Sequence, residues 1–198
     1  MKNFFIKKNI GGYTIIETMI VISLFIIIVM IGMNALLNAN VVSNKSQKTR
    51  SIMDNMSFAM EDISRSLRTG HAYHCITDGV TNNNNPPAFS CPGVSGGVGG
   101  GGISFKSSLG NQWVYYIDVN GNIFKSTDGG ATFVQLNPNE VKINTTQSGF
   151  IVLGAEAPSS GDHQQPFVTI RLVGTINYEN VVTSFSLQTS VSQRSIDI

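Results

Sequence analysis

The sequence predicts an α+β protein: one long N-terminal helix followed by an antiparallel β-sheet. Three observations predict it. The first is an apolar run near the start that continues, without a helix breaker, into an amphipathic stretch reaching Thr69. The second is an abrupt change after Gly70 into Asn-, Pro- and Gly-rich sequence. The third is a series of short alternating segments from Ile103 onward, separated by turn signals. A chain of 198 residues accommodates this as one domain with an appendage.

The helix comes first. Residues 18–33 read TMIVISLFIIIVMIGM, and from Ile15 to Leu37 the apolar stretch covers a little over 20 residues. At about 1.5 Å per residue this matches a bilayer core of about 30 Å. Lys2, Lys7 and Lys8 precede the stretch with no acid among residues 1–12. The positive-inside rule then keeps the N-terminus cytoplasmic and sends the rest outside. The run is too long for the core of an ordinary signal peptide. Residues 38–69 contain neither Pro nor Gly, and Ile52, Met56, Ala59, Met60, Ile63 and Leu67 recur at helical spacing. One helix is therefore expected from about residue 13 to 69, with Gly32 its point of weakness and Gly70 its stop. It divides into a transmembrane segment, 13–37, and an amphipathic half, 38–70.

Residues 71–102 read as a flexible surface insert. They include NNNNPP at 82–87 and GVSGGVGGGG at 93–102, which suit neither a helix nor a central strand. His71 and His74 fall in it as expected loop residues. So do Cys75 and Cys91, an even pair in a segment read as extracytoplasmic, which favours a disulfide over two free thiols. A bridge would close a loop of about 16 residues and stabilise by roughly 3 kcal/mol. Because it lies in an appendage on this reading, its loss is expected to spare the sheet.

The sheet occupies 103–198. Strands are expected at 113–119, 123–125, 132–136, 141–145, 150–154, 167–173 and 181–191, with turns at Asn120-Gly121 and Asp128-Gly129-Gly130. They compose an antiparallel meander with one face for the amphipathic half of the helix.

Composition narrows the function. Only 13% of residues are charged and the formal net charge is +1, so bulk electrostatics do not indicate nucleic acid. Beyond residue 12 the chain has 10 bases, from 13 less three, against 12 acids. No spacing suggests a catalytic triad, and no catalytic residue, metal ligand or cofactor is assigned. Ser126-Thr-Asp128-Gly-Gly130-Ala-Thr132-Phe133 matches an Asp-box, a structural hairpin that occurs once here. Asp118-Val-Asn120-Gly-Asn122 begins like a calcium loop, but Ile123 and Gly129 stand where that loop needs Gly and Glu, so a tight hairpin is the better reading. Glu156 and Asp162 are a remote calcium candidate.

The most specific segment is Lys7-Lys8-Asn9-Ile10-Gly11-Gly12-Tyr13-Thr14-Ile15-Ile16-Glu17. A lone carboxylate at a membrane helix costs about 2.5–3.5 kcal/mol at mid-bilayer and needs a partner or a function. This segment resembles the cleavage and methylation signal of type IV prepilins and type II secretion pseudopilins. The resemblance implies a 1–12 leader removed by prepilin peptidase between Gly12 and Tyr13, N-methylation of Tyr13, and a role for Glu17 in assembly. It implies the pilin fold, and partners among other pilin or pseudopilin subunits, the peptidase, an inner-membrane assembly platform and, before assembly, membrane lipid. Localisation would be single-pass in the cytoplasmic membrane, then in a filament. Asn34 stands where many major pilins carry proline. Residues 58–68 and 185–194 are similar to J-type minor pseudopilins and PilW-like minor pilins. The function implied is a non-enzymatic minor filament subunit. Alternatives are a filament-tip binding module acting through 71–102 and a surface-anchored hydrolase.

Overall fold

A computed structural model describes residues 11–76, 87–92, 101–157, 161, 164–179 and 181–194. Residues 1–10 of the expected leader and most of NNNNPP and GVSGGVGGGG lie outside them. Among the described residues a helix, α1 (Ile15–Thr69), is followed by nine strands, so the α+β class holds in a pilin-like order, apolar helix first and antiparallel sheet after. Two compact units divide the chain, Met1–Ser46 and Gln47–Ile198.

The first unit contains the apolar part of α1, continuous through Gly32. Every residue from Gly11 to Asn44 is exposed.

In the second unit, α1 buries Ile52, Met56, Ala59, Met60, Ile63 and Leu67, the whole of the expected stripe. The helix ends at Gly70 for two physical reasons. A Cβ there would run into the Phe105 ring. The Tyr73 hydroxyl also lies 2.6 Å from the Leu67 carbonyl, which accepts the Gly70 N–H as well (3.1 Å), and 2.8 Å from the Gly70 carbonyl, so it covers the last helical acceptors. The Arg194 N–H reaches a third, on Arg68, at 2.9 Å.

The expected single meander is two sheets. The first is a five-stranded meander of β1 (His71–Ile76), β2 (Gly102–Lys106), β3 (Gln112–Ile117), β4 (Ile123–Ser126) and β5 (Val134–Gln135). The second is built on β8 (Phe167–Tyr178), which pairs along its full length with β9 (Val181–Ser192). The other edge of β8 takes β7 (Gly149–Leu153) and then β6 (Val141–Ile143). Inward residues of both sheets and the helix stripe share one core, including Phe105, Tyr115, Ile123, Phe150, Ile170 and Leu172. Lys125 on β4 adds a polar tie to α1, with its ammonium 2.8 Å from Asp62 and 4.8 Å from the Trp113 ring centre.

Two devices join the sheets. One is buried Asn137, whose Oδ1 accepts the Ile123 N–H (2.7 Å) while Nδ2 donates to the Val141 carbonyl (3.0 Å). Beside it the Ile143 N–H donates to the Gly121 carbonyl (3.0 Å). Gly121 has φ of 75°, and a Cβ there would collide with the Ile143 backbone, so glycine is needed twice over.

The other device corrects the reading of 71–102. Residues 71–76 are strand, not insert: Tyr73, Cys75 and Ile76 are buried, and His71 and His74 lie in β1 rather than in a loop. Residues 87–92 are docked as well. Phe89 bridges β1, its N–H donating to Tyr73 (2.9 Å), and Cys91 bridges β7, exchanging bonds of 2.8 and 3.1 Å with Val152. The Cys75–Cys91 disulfide is formed, and both cysteines belong to the core rather than to an appendage.

Candidate functional site

The start of α1 carries the residues that the sequence singles out, and its geometry follows from a local rule. Thr-x-x-Glu before an apolar run is a helix-capping pattern. Thr14 Oγ1 accepts the Glu17 N–H (3.3 Å), and the Thr14 carbonyl accepts the Thr18 N–H (3.2 Å), the first helical bond of this turn. Glu17 thus stands in the first turn, where the helix dipole favours a carboxylate. That local role was readable from Thr14-Ile-Ile-Glu17 and is additional to any role in assembly.

Gly12 precedes the helix in irregular backbone, and Tyr13 next to it is 83% exposed. Tyr13, Glu17, Thr18, Val21 and Ile22 line one open, mainly apolar recess. So Tyr13 and Glu17, both singled out by the sequence, share a surface within a single chain. Beyond them the apolar side chains point outward on all sides, Ile15, Phe25, Ile28 and Ile31 among them. The two hydroxyls in this stretch turn back onto their own helix, Thr18 to the Ile15 carbonyl and Ser23 to that of Ile20, both at 2.8 Å. The surface left over has almost nothing to offer water. Among the described residues this is the one helix long and apolar enough to cross a membrane.

Elsewhere the candidate motifs are structural. Asp128 accepts from Ser126 Oγ (2.6 Å), Thr132 Oγ1 (2.6 Å) and the N–H groups of Ala131 and Thr132. Those bonds, the Ser126 hydroxyl foremost, hold its carboxyl well below the ordinary range. The result is a closed Asp-box turn. Asp118 is likewise occupied, accepting the Asn122 N–H (2.7 Å) across the Asn120-Gly121 turn. Among the described residues no group of three His, Cys, Asp or Glu side chains is placed to hold a metal ion. Asp162 and His163 lie outside the described residues.

Glu156 serves the docked segment 87–92. Its carboxylate accepts the Ser90 N–H (2.8 Å) and the Ser90 hydroxyl, and the Ala155 N–H donates to that same hydroxyl (3.0 Å). The hydroxyl bond first, then the N–H, lowers the Glu156 pKa. The sequence carried no periodic signal for this loop-to-loop contact.

Compared with family models, with curated proteins and with solved structures, the chain finds no match in any of the three.

Proposed function

We propose that the chain is a filament subunit of the type IV pilin-like class, a minor pilin or pseudopilin that acts by assembly rather than by catalysis. The observation that carries this reading is the run from Gly12 to Thr69. An exposed Gly-Tyr junction leads directly into a helix with Glu17 in its first turn, and that helix continues from an all-round apolar surface to a single buried stripe. A plain membrane anchor needs the apolar surface but neither the junction nor the acid.

On this reading, prepilin peptidase cuts between Gly12 and Tyr13, and the new Tyr13 amine and Glu17 bring opposite charges to similar depth. Within one chain they belong to the same recess. Between neighbouring subunits, amine and carboxylate would pair, offsetting a desolvation cost of several kcal/mol per ion and fixing axial register. The tip-binding alternative relied on 71–102, where Tyr73, Cys75, Ile76 and Cys91 are buried in the core while His71, Pro87, Phe89 and Pro92 remain exposed.

Intact-mass analysis of membrane-extracted protein tests the processing, with Tyr13 expected as the first residue. An uncleaved chain in cells with active prepilin peptidase would refute the class. Glu17→Gln should still insert and be cleaved, yet cross-link poorly into filaments at equal membrane abundance. Equal incorporation would show that apolar helix packing suffices.

A further inference from the structure

The face of α1 that points away from its buried stripe carries a patterned surface. At 3.6 residues per turn, Arg50, Asp54, Phe58, Glu61 and Arg65 fall within one strip, on the far side of the helix from Ile52, Met56 and Ile63. All five are exposed. Phe58 is 68% exposed, a large apolar ring left in water by a helix that has a core for its other face. Glu61 and Arg65, four residues apart, form an ion pair at 2.9 Å. Arg50 and Asp54 have the same spacing, yet among the described residues neither is paired. The charges along the strip therefore run plus, minus, minus, plus around an aromatic centre. An apolar anchor within a charged rim is the make-up of an interface.

We infer that this strip is a seam for α1 of a second copy of this chain, running parallel and shifted by four residues, about 6 Å, along the helix axis. Parallel packing keeps both apolar helix starts pointing the same way, as a shared membrane or filament requires. The sheets, which cover the opposite face of each helix, stay clear of the contact. Charge complementarity selects the shift. In zero register Arg50, Asp54, Glu61 and Arg65 would each meet its own like, which is repulsive. Shifted by four, Arg50 meets Asp54 and Glu61 meets Arg65. A shift of eleven also makes opposite pairs, Arg50 with Glu61 and Asp54 with Arg65. Four, however, is also the separation of Tyr13 from Glu17, so a single shift satisfies those charges as well. The two Phe58 rings then stand one helical turn apart across the seam. Their burial supplies affinity, while the charges set register. This inference rests on the proposed function and deepens it, by naming the neighbour and the register.

The test uses the full-length protein in its membrane, where the native cysteines are held in their disulfide. Two tagged copies are co-expressed, one with Gln47→Cys and one with Ser51→Cys, and treated with a short bis-maleimide. Both positions are exposed, lie four residues apart and stand outside the charge pairs. Leu109→Cys, on a turn and 85% exposed, reports random collision. The mixed product between positions 47 and 51 is expected several-fold above that control, and above the product of either position with itself. Phe58→Ser in both copies should lower it several-fold without shifting the melting of the domain. Arg50→Glu in both copies, or Asp54→Arg in both, should lower it as well. Arg50→Glu in one copy with Asp54→Arg in the other should restore it, which a folding defect would not allow. Mixed product no greater than at Leu109→Cys would overturn the seam. If Glu17→Gln still blocks filament entry, the proposed function survives that result. A same-position product exceeding the mixed one, or a product joining α1 to a different protein instead, would also overturn the seam.

Discussion

The two units of this chain are stable for opposite reasons. In Met1–Ser46 the helix turns its apolar side chains outward, and no described residue covers them. In Gln47–Ile198 the same helix covers one stripe with two sheets and leaves polar residues outside. One helical pattern therefore serves two solvents. On the proposed function, lipid or other helices would surround the first unit. The second depends on contacts it makes itself.

The sharpest test of that contrast is a pair of charges. Ile63 is fully buried in the second unit, and Ile63→Asp leaves an unpaired charge in the core. It should remove more than about 4 kcal/mol and leave the domain protease-sensitive. Ile27→Asp, in the first unit, should leave domain melting unchanged and instead weaken membrane insertion by about 2.5–3.5 kcal/mol. Limited proteolysis and membrane fractionation of both variants separate the outcomes. If both variants melt alike, the two units are not independent in this sense.

Next in size is the disulfide. Because Cys75 and Cys91 sit in the core, Cys75→Ser with Cys91→Ser should lower the stability of the second unit by about 3 kcal/mol. A thermal melt of the extracted protein reads this directly. An unchanged melting temperature would return the bridge to the status of an appendage.

A smaller effect belongs to the first unit alone. Thr14→Ala removes the hydroxyl that accepts from Glu17 and should cost about 1 kcal/mol at the helix start. Hydrogen exchange should quicken over the first turn while the second unit melts as before. The smallest effect is acid sensitivity of the docked segment. The Glu156 pKa is lowered in the folded chain from an ordinary value of 4.5, so its contribution is complete above that value. It fades as the pH falls through the folded pKa. Wild type should be more stable than Glu156→Gln at pH 7, and the difference should shrink on titration to pH 3.

Features with strong local periodicity were legible in the sequence. The stripe from Ile52 to Leu67 follows from helical spacing, and the Asp128 turn from the spacing of Ser126, Asp128 and Thr132. The division into two sheets was not legible, because strands of both sheets alternate alike. What separates and rejoins them is tertiary: Asn137 bonding to Ile123 and Val141, and Gly121 against Ile143. Asn120-Gly121 announced a turn but not the backbone it would meet. The strand β1 was hidden by its outward histidines and by the breakers that follow it. Yet Tyr73 and Cys75 keep the period of two, and that was the available signal. At the candidate site, Glu17 stood out as a lone carboxylate before an apolar run, and Gly12 and Tyr13 through the resemblance of their segment to a prepilin signal, whereas the Thr14 cap needed attention to helix-start chemistry.

The β8–β9 ladder has a consequence for the order in which the second unit is built. Tyr178 pairs with Val181, so only two residues separate the arms of a hairpin that zips residue by residue to Phe167 and Ser192. Closing so short a loop loses little chain entropy, whereas joining β1 to β2 must first bring Ile76 to Gly102 across 25 intervening residues. Speed of formation follows locality of contact. The C-terminal hairpin is therefore the natural first-formed platform, with β7 and β6 added along its free side. The helix stripe and the first sheet close over it afterwards, so residues late in this sequence provide the template on which the earlier ones settle.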